Sequence, residues 1–389
     1  MLIYYFNFFL PLFLNFIKNK KLISFFSLFN LLFFILFIGL RYDVGGDWCT
    51  YTNIANKYQG LGFDDFFISP GREPLVEALY FLSVYLGTGV YGINMLFAAI
   101  FIYCLHKYLK SLPYYFIGFT ISVPILITIL AMGFAQQSVA FGFGMLSILA
   151  LRENKKLLFL FYVLVGTLFH NTAIIFFLLY FAVIKVTSIH RLFFPLIFLI
   201  ILYFTVFNTF FGDTREILRM INYYFGEGTT LYSKGMFYRV SINVFSGILF
   251  LFVLRKRVNN INDKNIYTIL SISSILLLIV SLFSSLIADR FNYFLFPLHL
   301  FVVTHFIAAL HLKSSKMFSI IILIVMYYGL YVSWLVYSAE YKGWYPYKSY
   351  IFKSASFDVC NPNPVEWEVF TDVIQSTGHR RDPWHNPVH

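Results

Sequence analysis

Charge is what this sequence has least of. Of its 389 residues only 12% are Asp, Glu, Lys or Arg, where a soluble domain carries about a quarter. That is too little to cover a water-facing surface, which excludes a soluble enzyme, a disordered region and a coiled coil. Cysteine is nearly absent as well. Cys49, Cys104 and Cys360 have no metal-ligand spacing, and a Cys49–Cys360 disulfide requires two distant segments to approach. No glycine-rich phosphate loop follows a strand pattern. No Ser-His-Asp order stands out, and neither a metal site nor a bound cofactor is expected. Internal repeats are missing, as are the matched Gly/Pro-broken helices that mark many transporters.

What is there is apolar: 59% hydrophobic and 22% aromatic residues, with a mean hydropathy of +0.74. Lipid requires every backbone group to be satisfied internally, so the expected fold is an all-α integral membrane protein. A crossing helix needs about 20 apolar residues, fewer at a thin or tilted site. About twelve segments qualify: 2–17, 22–40, 90–106, 112–131, 135–151, 157–170, 171–184, 192–211, 240–254, 266–287, 291–310 and 317–338. Residues 157–184 carry Phe169-His170-Asn171 in mid-run and read as two short limbs meeting near the outer surface. The first segment has no basic region before it and Lys18, Lys20 and Lys21 after it. It reads as a first span with its N-terminus outside, not as a cleaved signal.

The net charge of +11 does not gather into one patch, which argues against nucleic acid. It sorts by side instead. Loops 18–21, 107–110, 152–156, 185–191, 255–264 and 313–316 hold 16 Lys and Arg but only two acids, Glu153 and Asp263; the opposite side nets −3. The positive-inside rule places those six loops in the cytoplasm. They are too short for a nucleotide-binding fold, so any chemistry is expected on the outer face without ATP or a nucleotide sugar. Outside lie the loop 41–73, an amphipathic stretch 74–87, the loop 212–239 and a short Asp289-Arg290 connection. The membrane domain is read as 1–353, followed by a polar, Pro-rich tail, 354–389.

Ionisable and polar residues at span ends are costly and mark candidate function. Arg41 opens Arg41-Tyr42-Asp43-Val44-Gly45-Gly46-Asp47 and runs on to Tyr51. Alone it reads as a snorkelling arginine; with two Asp and two Tyr around a Gly-Gly turn it reads equally well as a site. Gln136 and Gln137 sit at a helix entry. His170 lies at an outer helix break, where an imidazole can act as a base or hydrogen-bond a sugar. Arg290 stands between two spans, either in a turn-closing pair with Asp289 or as a grip for a lipid diphosphate. Arg215, Arg219, Lys234 and Arg239 add positive potential on the second outer loop.

Six short patterns recur in order across most of residues 30–350. They are Arg41 through Tyr51; Arg72-Glu73-Pro74; Gly133-Phe134-Ala135-Gln136-Gln137-Ser138-Val139-Ala140; Leu168-Phe169-His170-Asn171-Thr172-Ala173; Asp289-Arg290-Phe291-Asn292-Tyr293; and Trp344-Tyr345-Pro346-Tyr347. With this topology they resemble the EpsG-like bacterial polysaccharide polymerases, which include many Wzy O-antigen polymerases. One departure stands out: the family's Arg-Gln in the third block is Gln136-Gln137 here.

The resemblance implies a glycosyltransferase of the bacterial inner membrane that joins undecaprenyl-diphosphate-linked repeat units on the periplasmic face. It implies a bundle similar to lipid-dependent (GT-C-like) glycosyltransferases, and as partners membrane lipid, a repeat-unit flippase and a chain-length regulator. Under it, Arg290 and Arg41, with Arg239, meet the diphosphate. Asp47 or His170 takes the acceptor proton, and Arg72, Gln136, Gln137, Tyr51 and Tyr293 bind substrate. Three rivals are weighed. An O-antigen ligase has a larger late outer loop than 212–239. A flippase buries charge along a central cavity, and a membrane acyltransferase turns its His to the cytoplasm.

Overall fold

Apolar runs in this chain become helices because no water is available to satisfy an open backbone in lipid. The computed structural model describes residues 1–15, 17, 19–60, 73–183, 233, 235–338 and 343–352, and these are helical with no β-strand among them. The expected span 192–211, most of the second outer loop, Arg72, Cys360 and the tail lie outside the described residues.

The helices are α1 (Leu2–Leu14), α2 (Lys20–Gly39), α3 (Trp48–Lys57), α4 (Pro74–Tyr85), α5 (Gly89–Lys110) and α6 (Tyr115–Ser122), which runs on as a π-helical stretch Val123–Ala131. Then come α7 (Ala135–Arg152), α8 (Lys156–Phe169), a 3-10 helix Asn171–Ala182, α9 (Met236–Leu249), α10 (Ile261–Val280), α11 (Ser285–Asn292), α12 (Phe296–Ala309) and α13 (Lys313–Tyr337). Six helical stretches among the described residues are long and apolar enough to cross a membrane: Lys21–Gly39, Gly89–Lys110, Met236–Leu254, Ile261–Val280, Ser285–Ala309 and Lys313–Tyr337. This makes the chain a multi-pass membrane protein. Five shorter apolar helices accompany them, including Leu2–Leu14 and Tyr115–Ala131.

The π-helical stretch and most of α7 are buried at the centre, with α5 and α8 packed on α7. By contrast α2 and α13 turn Phe25, Leu28, Leu32, Phe318, Ile321 and Val325 outward, as lipid-facing helices do. Asn19, Asn260 and Ser284 cap α2, α10 and α11 by accepting from backbone N–H groups of the first turn. The break expected at His170 is present. Phe169 ends α8, His170 is extended (φ −160°, ψ 121°), and the 3-10 helix starts at Asn171.

Three polar rungs tie α9 to α11 and α12. Arg239, Asn243 and Ser246 share one face of α9 at i, i+4 and i+7 spacing. Arg239 donates to both Asp289 oxygens at 2.7 and 2.8 Å. Asn243 Nδ2 donates to Asn292 Oδ1 at 2.8 Å, and Ser246 meets His299 at 2.7 Å. His299 in turn meets Tyr327 of α13 at 2.6 Å. The Arg239–Asp289 rung is the strongest, because breaking a buried ion pair strands a charge at about 3–5 kcal/mol. Arg239→Ala is therefore expected to lower the thermal midpoint of the detergent-solubilised protein sharply and to cut its yield. Arg239→Lys should recover little, since an ammonium cannot reproduce the fork. Fluorescence-detected size exclusion after a heating series reads both.

Candidate functional site

The polar residues singled out in the sequence lie at helix ends: Arg41 after α2, Asp47 and Tyr51 at the start of α3, Gln136 and Gln137 in the first turn of α7, His170 after α8, and Arg290 in α11. The loop from Leu40 to Asp47 is held from several directions. Tyr42 N–H donates to the Lys348 carbonyl at 2.9 Å, and Gly45 N–H to the Gly343 carbonyl at 2.7 Å. Lys348 pairs with Asp43. Trp344 donates its indole N–H to the Thr128 carbonyl at 2.8 Å, and Tyr347 stacks on Phe37. Residues 343–350 thus form a strap over the loop. Cys49 at the start of α3 is held in a disulfide, and Cys104 is a buried free thiol.

Arg41 lies wholly inside this arrangement, with no exposed surface. Its Nε donates to the Val44 carbonyl at 3.1 Å, one terminal nitrogen to the Ile38 carbonyl at 2.6 Å and the other to Asn94 Oδ1 at 3.1 Å. Burial pushes its pKa down, while Tyr51, Tyr80, Tyr347 and Asp47 act in the opposite direction. The guanidinium therefore organises the loop from within. Arg239 is likewise held by Asp289, leaving its fork closed.

The first turn of α7 is the hub of the site. Ala135 N–H donates to the Tyr51 hydroxyl at 2.8 Å, and that hydroxyl donates to Asp47 Oδ2 at 3.3 Å. Gln136 approaches the Tyr80 hydroxyl without a well-formed hydrogen bond. Gln137, almost fully buried, donates to the Arg290 carbonyl at 2.9 Å. One helical turn thus joins two groups. On one side stand Arg41, Asp47, Tyr51 and Tyr80; on the other, Arg290 and His170. Tyr293 is buried, its ring against Phe134 at 6.4 Å between centroids.

Two details decide what the second group can do. The Arg290 side chain is half-buried and makes no hydrogen bond or ion pair with any described residue, although its charge reaches His170. His170 Nδ1 accepts from the Thr172 N–H at 3.4 Å and sits 2.7 Å from the Thr172 hydroxyl. With Nδ1 accepting, the neutral ring carries its proton on Nε2, so the free edge of His170 donates. It is suited to an anionic or carbonyl-like oxygen.

Sequence reasoning passed over three residues here: Glu77, Tyr80 and Asn94. Glu77 and Tyr80 are i, i+3 neighbours on amphipathic α4, and Asn94 is a lone amide in the apolar run of α5. The signal for each was a polar side chain in an otherwise apolar helix. No group of His, Cys, Asp and Glu suited to a metal occurs among the described residues.

A model of the EpsG family matches residues 24–349, a range within which all six sequence patterns fall. No curated protein and no solved structure matches the chain.

Proposed function

Because the chain belongs to the EpsG family, we propose that it polymerises lipid-linked oligosaccharide repeat units into O-antigen or a related surface polysaccharide. In this reading it is a glycosyltransferase of the bacterial inner membrane, with its site facing the periplasm. The helices Leu2–Leu14, Tyr115–Ala131, Ala135–Arg152, Lys156–Phe169 and Asn171–Ala182 also cross, and with the apolar segment 192–211 they make about twelve crossings in a GT-C-like bundle, while α4 stays at the outer face. The cytoplasmic basic loops support that sidedness. So does the disulfide at Cys49, because such bonds persist in oxidising compartments.

The donor is a growing chain on undecaprenyl diphosphate, and the acceptor is a newly flipped repeat unit on the same carrier. An acceptor hydroxyl attacks the anomeric carbon, the bond to phosphate breaks, and undecaprenyl diphosphate leaves. Preorganised donors must meet the charge on that leaving group. Arg290 carries this reading: it is a half-buried guanidinium at the outer face with no hydrogen-bond or ion-pair partner among the described residues, and its charge reaches His170. Arg41 and Asp47 act from the loop, Arg41 by shaping it. Arg239 adds positive potential, although Asp289 holds its fork. Arg72, Gln136, Gln137, Tyr51 and Tyr293 bind or frame the sugars. A flippase supplies the units and a chain-length regulator governs the product.

Deletion of the gene tests the reading. A host that ligates its polymer to lipid A–core should then display core bearing a single repeat unit, and the wild-type gene should restore the ladder. Bare core with lipid-linked polymer accumulating indicates a ligase instead. Bare core with single units trapped inside indicates a flippase.

A further inference from the structure

Glu77 is an acid on an otherwise apolar face, in the short helix α4 beside the outer site. Its Oε2 is buried and has no hydrogen-bond partner. Buried polar atoms in native proteins are almost always paired, so an orphan next to a functional cluster asks for a ligand. A second orphan lies near it. Tyr80, one turn further along α4 on the same face, is fully buried, and its hydroxyl lacks a well-formed hydrogen bond. The charges of Arg41, Asp47 and Glu77 all act on that hydroxyl, which places Glu77 at the edge of the Arg41–Asp47 group. Asn94 adds a third: its Oδ1 accepts from Arg41, while its Nδ2 is buried without a partner.

Helices α4 and α5 thus bury a carboxylate oxygen and an amide donor without partners, and a phenol that Gln136 approaches without a well-formed hydrogen bond. A sugar hydroxyl both donates and accepts, and it complements such a set. The alternatives for proton removal are already engaged. Asp47 accepts from Tyr51, and His170 uses Nδ1 as a helix cap and turns a donor outward.

We propose that Glu77 is the general base of this site, taking the proton from the attacking hydroxyl of the acceptor sugar while Tyr80 holds that hydroxyl. The assignment rests on the glycosyl-transfer reading. As the proton passes to the Glu77 carboxylate, the acceptor oxygen bonds to the anomeric carbon. The carbon–oxygen bond to phosphate breaks, and its electron pair leaves with undecaprenyl diphosphate, facing Arg290. Glu77 afterwards returns the proton to water.

Burial raises the Glu77 pKa above the ordinary carboxylate value, with Lys57 of α3 pulling it down. A raised value brings a carboxylate base closer to the working pH. The charged and titratable groups that act on it or on its neighbour are Lys57 from α3, Tyr80 on its own helix, and Arg41 and Asp47 across Tyr80. A base works only when deprotonated, so turnover falls as pH drops through the raised Glu77 pKa.

The test uses full-length protein in detergent with undecaprenyl-diphosphate-linked repeat units extracted from the deletion host. Glu77→Gln is expected to lower the polymerisation rate about 100- to 10,000-fold with an unchanged thermal midpoint, and its residual rate to lose the acid limb. Glu77→Asp should keep part of the activity with that limb shifted. A folded Glu77→Gln protein working at near-wild-type rate overturns the proposal and leaves the polymerase reading intact. If Glu77→Gln fails to fold, Glu77→Asp decides: an acid limb that stays in place overturns it. Wild type making no polymer from these units removes the glycosyl-transfer reading itself, and the base with it.

Discussion

Arg290→Ala is expected to slow polymerisation about 1,000-fold, a loss of about 4 kcal/mol of transition-state stabilisation. Protein amount and thermal midpoint should stay near wild type. The two halves of that expectation come from one observation. A guanidinium without hydrogen bonds or ion pairs to any described residue contributes little to that part of the fold, so its removal strands no group there. The same unmet donors are what a departing diphosphate needs, since a planar fork can meet two phosphate oxygens at once. Arg290→Lys should recover only part of the rate, because an ammonium keeps the charge and loses the fork. Arg239→Ala supplies the contrast: there the damage is expected in the protein itself, since the largely buried Asp289 keeps the Ser233 hydroxyl but loses its countercharge. Turnover of purified Arg290→Ala on lipid-linked repeat units at near-wild-type rate would remove Arg290 from the site. A fall in its thermal midpoint matching that of Arg239→Ala would make its role structural.

The three arginines also mark the boundary of what was legible in the chain. Each follows or precedes an apolar run, and each read as a diphosphate ligand. Their differences are set by partners far away: Asn94 for Arg41, Asp289 for Arg239, and for Arg290 no partner among the described residues. Periodicity and local composition carry no information about such pairings, because the pairings depend on which helices pack side by side. Features encoded over a few residues fared better. The break at His170 appears where a His-Asn-Thr run interrupts apolar sequence, and the Asn and Ser caps begin α2, α10 and α11. The segment 112–131 was legible as one apolar run. Its passage into a buried π-helical stretch beginning at Val123-Pro124 was not, since that depends on what surrounds it. Glu77 was visible only as an acid in an amphipathic stretch. Its lack of a partner is a property of the packed site.

Gly45→Ala is expected to abolish polymer formation, at least about 100-fold down, whereas Gly46→Ala at the next position should stay within about threefold of wild type. Gly45 holds φ at +108°, where an L side chain is strained, and a Cβ added there would lie 2.0 Å from the Met132 carbonyl oxygen. Backbone stands on both sides of that clash, so it cannot be relieved by a rotamer change. A penalty of about 3 kcal/mol or more follows, and the chain must move to avoid it. Either direction of movement harms the site. Pushing the loop outward breaks the Gly45–Gly343 hydrogen bond and shifts Asp47 away from Tyr51. Pushing Met132 back shifts the entry to α7, whose first turn places Gln136 and Gln137 and, through Gln137, the Arg290 backbone. Gly46 faces Trp344 at an ordinary contact distance of 3.6 Å, so a methyl group there fits. The pair separates backbone geometry from composition, since both variants change the same Gly-Gly turn by one methyl group. Polymer ladders from the complemented deletion strain, normalised to membrane protein amount, read the difference. Equal ladders from the two variants would mean that the turn does not set the geometry of the site.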